Sequence, residues 1–433
     1  MSIYRILNVN RFLNVNRWSK AALSAVACCS LAGSILAQTP ASHEMVPERG
    51  FTIPSSGQTP FVIQTAPNAV CGLHAANAGD SAPVMKLLAN EDGYIRVHVS
   101  SKVDSENDAH VQIDCTAGGK LTIYPIHLRS GVAATDAMPA PQTTVPLPKG
   151  SRVLPALTEA EAAQLSDQEL LGRGYPQRPD ASAEPQLYKS WVRAFSKQVT
   201  LLAPPTSTSG DQGLGVQYGT EYSLAWCGYE AQGANGTYSS VHGAWYVPDI
   251  PIGEPGYQTN SGLWVGLDGD DGATDLVQAG TAQNYLDLDG LNFANYTAWT
   301  EVVPNQPVGQ PLPLNISAGD QMFVDVWVSD GQAYFLVADD ATNETVVSQT
   351  ALGKTKFLGK TAEWIMERPT VAGKFGELSM FIIAVMNNAY ANSTPVSTAA
   401  NVQLTMVNSS KTDLATASLL PPDGIFFDWK NFH

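Results

Sequence analysis

From about residue 207 onward the chain is written in twos. Met322-Phe-Val-Asp-Val-Trp-Val-Ser329 alternates, breaks at Asp330-Gly331, and resumes as Ala333-Tyr-Phe-Leu-Val-Ala338. A period of two sends successive side chains to opposite faces of a strand. Asp-Gly between two such runs marks a hairpin, because both turn positions need positive φ. The tail, Gly424-Ile-Phe-Phe-Asp-Trp429, reads as a closing strand. With 36 Gly and 28 Pro to serve turns, the fold class expected is all-β. It is a two-sheet antiparallel β-sandwich of the concanavalin or lectin-like jelly-roll kind, preceded by a smaller β-rich N-terminal domain.

The 433 residues divide into four expected segments. Residues 1–37 read as a signal peptide: Arg5, Arg11, Arg17 and Lys20 precede an apolar run, Ala21 to Leu36, too short for a permanent membrane span. Residues 44–130 read as a small sandwich-like unit, with strands around Phe61–Gln64, Tyr94–Val99, Val111–Cys115 and Leu121–Tyr124. Four of the seven histidines, His74, His98, His110 and His127, lie there, with His43 just before it, in no metal-ligand spacing. Residues 131–206 read as a linker holding a helix, Leu157 to Leu171, capped by Thr158 or Ser166, and then a basic, aromatic connector. Residues 207–433 are the large β domain. Export makes the protein secreted or periplasmic and permits disulfides. Cys71 and Cys115 are expected to pair; Cys227 is the odd thiol, expected to be buried and inert.

Charge excludes some functions. The net charge is −16, and losing the four basic residues of the leader makes it −20. Phosphate-binding chains need the opposite sign, so neither nucleic acid nor an anionic membrane is an expected partner. Between Lys197 and Lys354 there are 18 Asp and Glu and no Lys or Arg. That span is either a solubility feature or the mark of a protein built for acid, where protonation eases the repulsion.

The chemistry of the large domain is restricted. Its histidines are His242 and the terminal His433, and it holds no Gly-x-Ser-x-Gly elbow, no His-Glu-x-x-His and no Asp-Thr/Ser-Gly triplet. Catalysis there falls to carboxylates and amides. Three segments carry them. In Trp264-Val-Gly-Leu-Asp-Gly269, Trp264, Gly266 and Asp268 share a face. Asp275-Leu-Val-Gln-Ala-Gly280 sets the Gln278 amide in an apolar run. In Thr361-Ala-Glu-Trp-Ile-Met-Glu-Arg368, Glu363 and Glu367 share a face opposite Trp364 and Met366. Polar groups in such runs either sit on a solvated sheet face or serve a function.

These segments, in this order, resemble the glutamic peptidases, or eqolisins, in their bacterial type. Trp226-Cys-Gly-Tyr229, Val241-His-Gly-Ala-Trp-Tyr-Val-Pro248, Tyr296-Thr-Ala-Trp-Thr-Glu301 and Ile316-Ser-Ala-Gly-Asp-Gln-Met322 are similar to the family's other conserved stretches. The resemblance covers about 207–433. It implies Gln278 and Glu363, 85 residues apart, as a catalytic pair working on a water, with polypeptide substrates, no metal, no cofactor and a monomeric enzyme. Trp226, Trp264, Asp268, Trp299 and Glu301 are the implied substrate-binding or orienting residues. Departures are Ala282, where the family can carry Asp, and Trp299-Thr-Glu-Val-Val303 in place of an aromatic-rich loop. The other classes considered are a carbohydrate-binding sandwich, a glycoside hydrolase with two carboxylates, and an inactive binding relative. The region before 207 is expected to be either a prosegment or a permanent accessory domain.

Overall fold

The computed structural model describes residues 42–53, 58–78, 84–101, 108–130, 142–147, 151–175, 178–182, 185–201, 222–250, 257–273, 275–288, 291–306, 308–353, 355–371, 374–381 and 383–433. The expected leader, 1–37, and the expected domain start at 207 lie outside them. Among the described residues no helix is long and apolar enough to cross a membrane.

Two large sheets face each other. The first runs, in spatial order, Thr59–Gln64, Tyr94–Ser101, Leu291–Val303, Leu276–Leu288, Thr259–Asp268, Thr361–Glu367, Trp226–Gln232, Val402–Val407. We call Leu276–Leu288 the Gln strand, Thr259–Asp268 the Trp strand and Thr361–Glu367 the Glu strand. The second sheet is built around Gln321–Ser329, Gln332–Asp339, Glu344–Ala351, Ser240–Tyr246, Ile383–Ala391, Gly424–Trp429 and Asp413–Leu420. Strand Val402–Val407 pairs into both sheets and so ties one to the other.

Alternation divides each strand between core and cleft. Val265, Leu267, Val277, Ala279, Ala362, Trp364 and Met366 point between the sheets into the main core, with Cys227 and Tyr229 beside them. Burying one large apolar side chain contributes roughly 1.5–3 kcal/mol, so a one-residue slip that sent this set outward is strongly disfavoured. The hairpin at Asp330-Gly331 forms as expected: Ser329 faces Gln332, and both turn residues have positive φ, 49° and 72°. The closing strand Gly424–Trp429 lies between Ile383–Ala391 and Asp413–Leu420.

Upstream, the structure differs from the sequence reading in two places. The expected helix Leu157–Leu171 is two short helices, Glu159–Gln164 and Asp167–Gly172, because both candidate caps are used. Thr158 with Glu161 and Ser166 with Glu169 each close a capping box, and the second box restarts the chain. The connector contains a further helix, Pro185–Phe195, whose Trp191 and Phe195 pack on Trp327, Leu336, Ala338 and Val347 of the second sheet.

The N-terminal residues form a six-stranded sheet, in which Cys71 and Cys115 face each other and are bonded at 2.07 Å. The antiparallel pair Thr59–Gln64 and Tyr94–Ser101, separated in sequence by two strands of that sheet, belongs instead to the sandwich, pairing Ser101 to His98 with Leu291 to Ala294. Leu286, Leu288, Leu291 and Phe293 of the sandwich sit in the N-terminal core. His98 is buried in this seam against the Tyr296 ring, and burial pushes its imidazole down to about 3, so it is neutral.

Candidate active site

The strand register assembles one row across five strands. Gly266 faces Glu363 on one side and Gln278 on the other. Glu363 in turn faces Glu230, and Gln278 faces Glu301. Being in register, all five positions point to the face away from the main core. At about 4.8 Å per strand, Gln278 and Glu363 stand two strands apart with a glycine between them.

Gly266 is what keeps that interval open. A Cβ built there would lie 2.9 Å from Trp264 Cζ3, 3.0 Å from Leu276 Cδ1 and 3.1 Å from Glu363 Oε2. One strand-step along, Gly280 plays a matching part for Trp264: a Cβ there would lie 2.3 Å from the Leu263 carbonyl oxygen and 2.5 Å from Trp264 Cβ. The Trp264 ring is therefore seated over bare backbone. Its indole N–H donates to Glu367 Oε2 at 2.8 Å, and Trp226 meets it edge to face at 5.3 Å. Trp226 and Trp299 pack at the border of this small apolar cluster with Leu276, Val303 and Ile365.

The polar atoms are incompletely matched. Thr361 Oγ1 donates to Glu363 Oε1 at 2.6 Å, while Glu363 Oε2 is buried without a partner among the described residues. Gln278 Nε2 lies 2.6 Å from Glu301 Oε2, while Gln278 Oε1 is also buried without a partner. Leaving buried polar atoms unmatched costs about 1–3 kcal/mol each, and such expenditure concentrates at functional sites. Burial and the carboxyls of Glu230, Asp268 and Asp270 hold the Glu363 carboxyl well above the ordinary range. Burial likewise pushes Glu230 up to about 9, and burial with Glu367 pushes Glu301 up to about 8.

Asp268 has a different position from a free acid. At φ 62° it ends the Trp strand, and its carboxylate accepts from the N–H groups of Leu358, Gly359 and Lys360. It thus anchors the loop that delivers the Glu strand. Neighbouring Asp271 is ion-paired with Lys360 at 2.6 Å. The Asp268–Asp271 oxygens are accordingly committed to protein partners rather than gathered round a common point.

Glu230, which stands beside Glu363, was not singled out from sequence, although it was legible as the i+4 mate of Trp226 on a cleft face. Gly266 and Glu367 were placed on the right faces, but not their parts: Glu367 holds Trp264, and Gly266 opens the gap. Cys227 is free and buried, its thiol pushed up to about 12, which makes it unreactive. Strand pairing also brings Asp108, His110 and His127 within 4.8 Å on the N-terminal sheet, a grouping that spacing alone did not reveal. Of the carboxylate pairs considered for a glycosidase, Glu363 and Glu367 are four residues apart on one strand, about 13 Å, beyond the roughly 5–9.5 Å such enzymes use, and Asp268 is committed to the N–H groups of Leu358, Gly359 and Lys360.

Residues 224–424 match the model of the Peptidase A4 family. Aspergillopepsin-2 of Aspergillus niger is 27% identical over 186 residues, 38% of this chain and 64% of that protein. The chain thus spans just under two thirds of that relative's length. Among solved structures, scytalido-glutamic peptidase with a transition state analog inhibitor is similar at 19% identity and a TM-score of 0.40. The match covers 48% of this chain and 98% of that one. SCP-B, a member of the eqolisin family solved with the tripeptide Ala-Ile-His, is similar at 19% identity and a TM-score of 0.37, with the same coverage.

Proposed function

We propose that this chain, whose residues 224–424 match the Peptidase A4 family, is a glutamic peptidase that hydrolyses peptide bonds with Gln278, Glu363 and one activated water. The observation that carries the reading is the pair of unmatched atoms, Glu363 Oε2 and Gln278 Oε1, on either side of the gap at Gly266. A water held there has a base on one flank and an amide on the other. Ionised Glu363 takes a proton from the water, whose oxygen attacks the scissile carbonyl carbon. The Gln278 NH2 donates to the oxyanion that forms. Protonated Glu363 then passes its proton to the leaving nitrogen as the C–N bond breaks, and the carboxylate is restored.

Trp264 and Asp268 act as positioning residues on this reading. Trp264 walls the gap; Asp268 fixes the loop before Glu363. Trp226, Trp299 and Glu301 border the same face, where a polypeptide substrate would lie. The raised carboxyls favour work on the acid side of neutrality, because the fold holds those acids most easily when neutral. The same shifts put the low-pH limb of activity above the ordinary glutamate range, since Glu363 acts as base only after losing its proton. Export is supported by the basic, apolar start of the chain and by the Cys71–Cys115 bond.

We read the region before residue 202 as an accessory part retained with the peptidase unit rather than a released prosegment. Lys197 pairs with Asp340 at 2.7 Å, and Arg193 sits 3.2 Å over the Phe323 ring. The larger contacts are apolar, however, and acid does not loosen those.

The test is proteolysis of a denatured protein across pH 3–8, with a polysaccharide as control. Glu363→Gln and Gln278→Ala should each lower kcat by more than 10³-fold while circular dichroism stays unchanged. Near-wild-type turnover in either would remove that residue from the mechanism. Polysaccharide cleavage without proteolysis would replace the reading.

A further inference from the structure

We infer that Glu301 is a positioning residue whose carboxyl proton decides which end of the Gln278 amide faces the water. This rests on the Gln278/Glu363 reading and adds a control to it.

The two side chains are in register on adjacent strands, both buried, with Gln278 Nε2 and Glu301 Oε2 2.6 Å apart. An amide can meet a carboxyl in two ways through the same contact, since its oxygen and nitrogen ends are nearly the same shape. A carboxylate accepts from the NH2. A carboxylic acid donates its O–H to the amide oxygen. The second arrangement turns the NH2 into the gap, where the oxyanion needs a donor, and matches Gln278 Oε1, which is otherwise unpartnered. The first leaves a carbonyl oxygen facing the oxyanion, which repels it.

The surroundings favour the acid form. The ionisable groups on the strands packed beside Glu301 are Glu363 and Glu367 on the Glu strand, Asp268 on the Trp strand and Glu230 beyond, all acids. On its own strand Trp299 and Val303 flank it on the same face. Among the described residues no basic side chain is ion-paired with it. Burial and Glu367 push its carboxyl up to about 8, so it keeps its proton over the pH range proposed for activity. Above that range it ionises, captures the NH2, and the oxyanion donor is lost. The high-pH limb of activity is then an amide flip, with no change in the base.

Three variants and two spectroscopic readouts test this. Glu301→Gln carries a donor that does not titrate. It should keep kcat within about tenfold of wild type, and its high-pH limb should move up by more than one unit. Glu301→Ala should lose about 10²-fold in kcat with KM nearly unchanged. Equal losses in the two, or an unmoved limb in Glu301→Gln, would overturn the inference. An infrared difference spectrum, wild type minus Glu301→Gln, should show a protonated carboxyl band at pH 6 that is gone by pH 9.5. The Gln278 side-chain 15N resonance, assigned with Gln278→Ala, should shift with the same midpoint. No band at pH 6, or a Gln278 signal indifferent to pH, would refute the proton control whatever the activity. An inactive wild type that passes both spectroscopic tests would instead overturn the peptidase reading alone.

Discussion

Replacing Gly266 with alanine tests the water position with a single methyl group. The added Cβ would sit 3.1 Å from Glu363 Oε2, 3.0 Å from Leu276 Cδ1 and 2.9 Å from Trp264 Cζ3, against an ordinary 3.4–4 Å. Leu276 can yield by rotating its end. Trp264 yields less, because it is wholly buried and its indole is bonded to Glu367. Overpacking of this size costs about 1–3 kcal/mol, a few degrees in thermal midpoint. The cost in catalysis is larger. A water bonded to both the carboxylate and the amide sits about 2.8 Å from each, in the volume the methyl takes. Losing it should lower kcat/KM by about 10³-fold, roughly 4 kcal/mol at 1.4 per tenfold. Steady-state hydrolysis of a quenched fluorescent peptide, with a thermal melt of the same sample, separates the two costs. A Gly266→Ala protein that melts normally and keeps kcat/KM within fivefold would refute the water site at Gly266.

Stability should fall as pH rises. Glu230 and Glu301 are raised to about 9 and about 8 in the fold, so their contribution is complete below the ordinary value near 4.5 and drains as pH climbs through the folded values. Allowing half for water penetration, the loss between pH 4.5 and 8 is on the order of 5 kcal/mol, about 5 °C in a calorimetric melt of a chain this long; a flat or rising midpoint would contradict the burial of these acids. Gly280→Ala should fail to fold, read as loss of a cooperative melt, since its Cβ meets the Leu263 carbonyl oxygen at 2.3 Å. Proteolysis should withstand chelators, pepstatin and thiol- or serine-directed reagents, and inhibition by EDTA would point to an overlooked metal. Incubation at pH 3 followed by gel filtration should leave residues 151–201 with the sandwich, held by Trp191 and Phe195; their clean release would favour a prosegment.

Much of this architecture was written locally and some was not. Alternation and the Asp330-Gly331 turn announced the hairpins, because each strand's pattern is set by the face it buries. Gln278 and Glu363 were visible as polar residues in apolar runs within ordered motifs. Glu230 could be placed on the cleft face but not beside Glu363, because the pairing of Trp226–Gln232 with Thr361–Glu367 joins residues 129 to 141 apart, and period says nothing about partner choice. The helix Pro185–Phe195 was missed because its proline start and scattered basic residues masked an apolar stripe, Leu187, Trp191, Ala194 and Phe195, that only the second sheet makes sense of. The break before Ser166 turned on which of two equally good caps prevailed; both did.

The seam between Tyr94–Ser101 and Leu291–Val303 has a practical consequence for anyone expressing the sandwich alone. A fragment begun near residue 207 would lose the strand that covers Leu291 to Ala294 and uncover Leu286, Leu288 and Phe293. What remains is a sheet margin, Leu291 to Ala294, with its N–H and C=O groups unspent and apolar side chains beside it, a ready template for a second copy. Such a fragment would self-associate through that margin, and its poor yield would be easy to mistake for a defect in the active site some strands away.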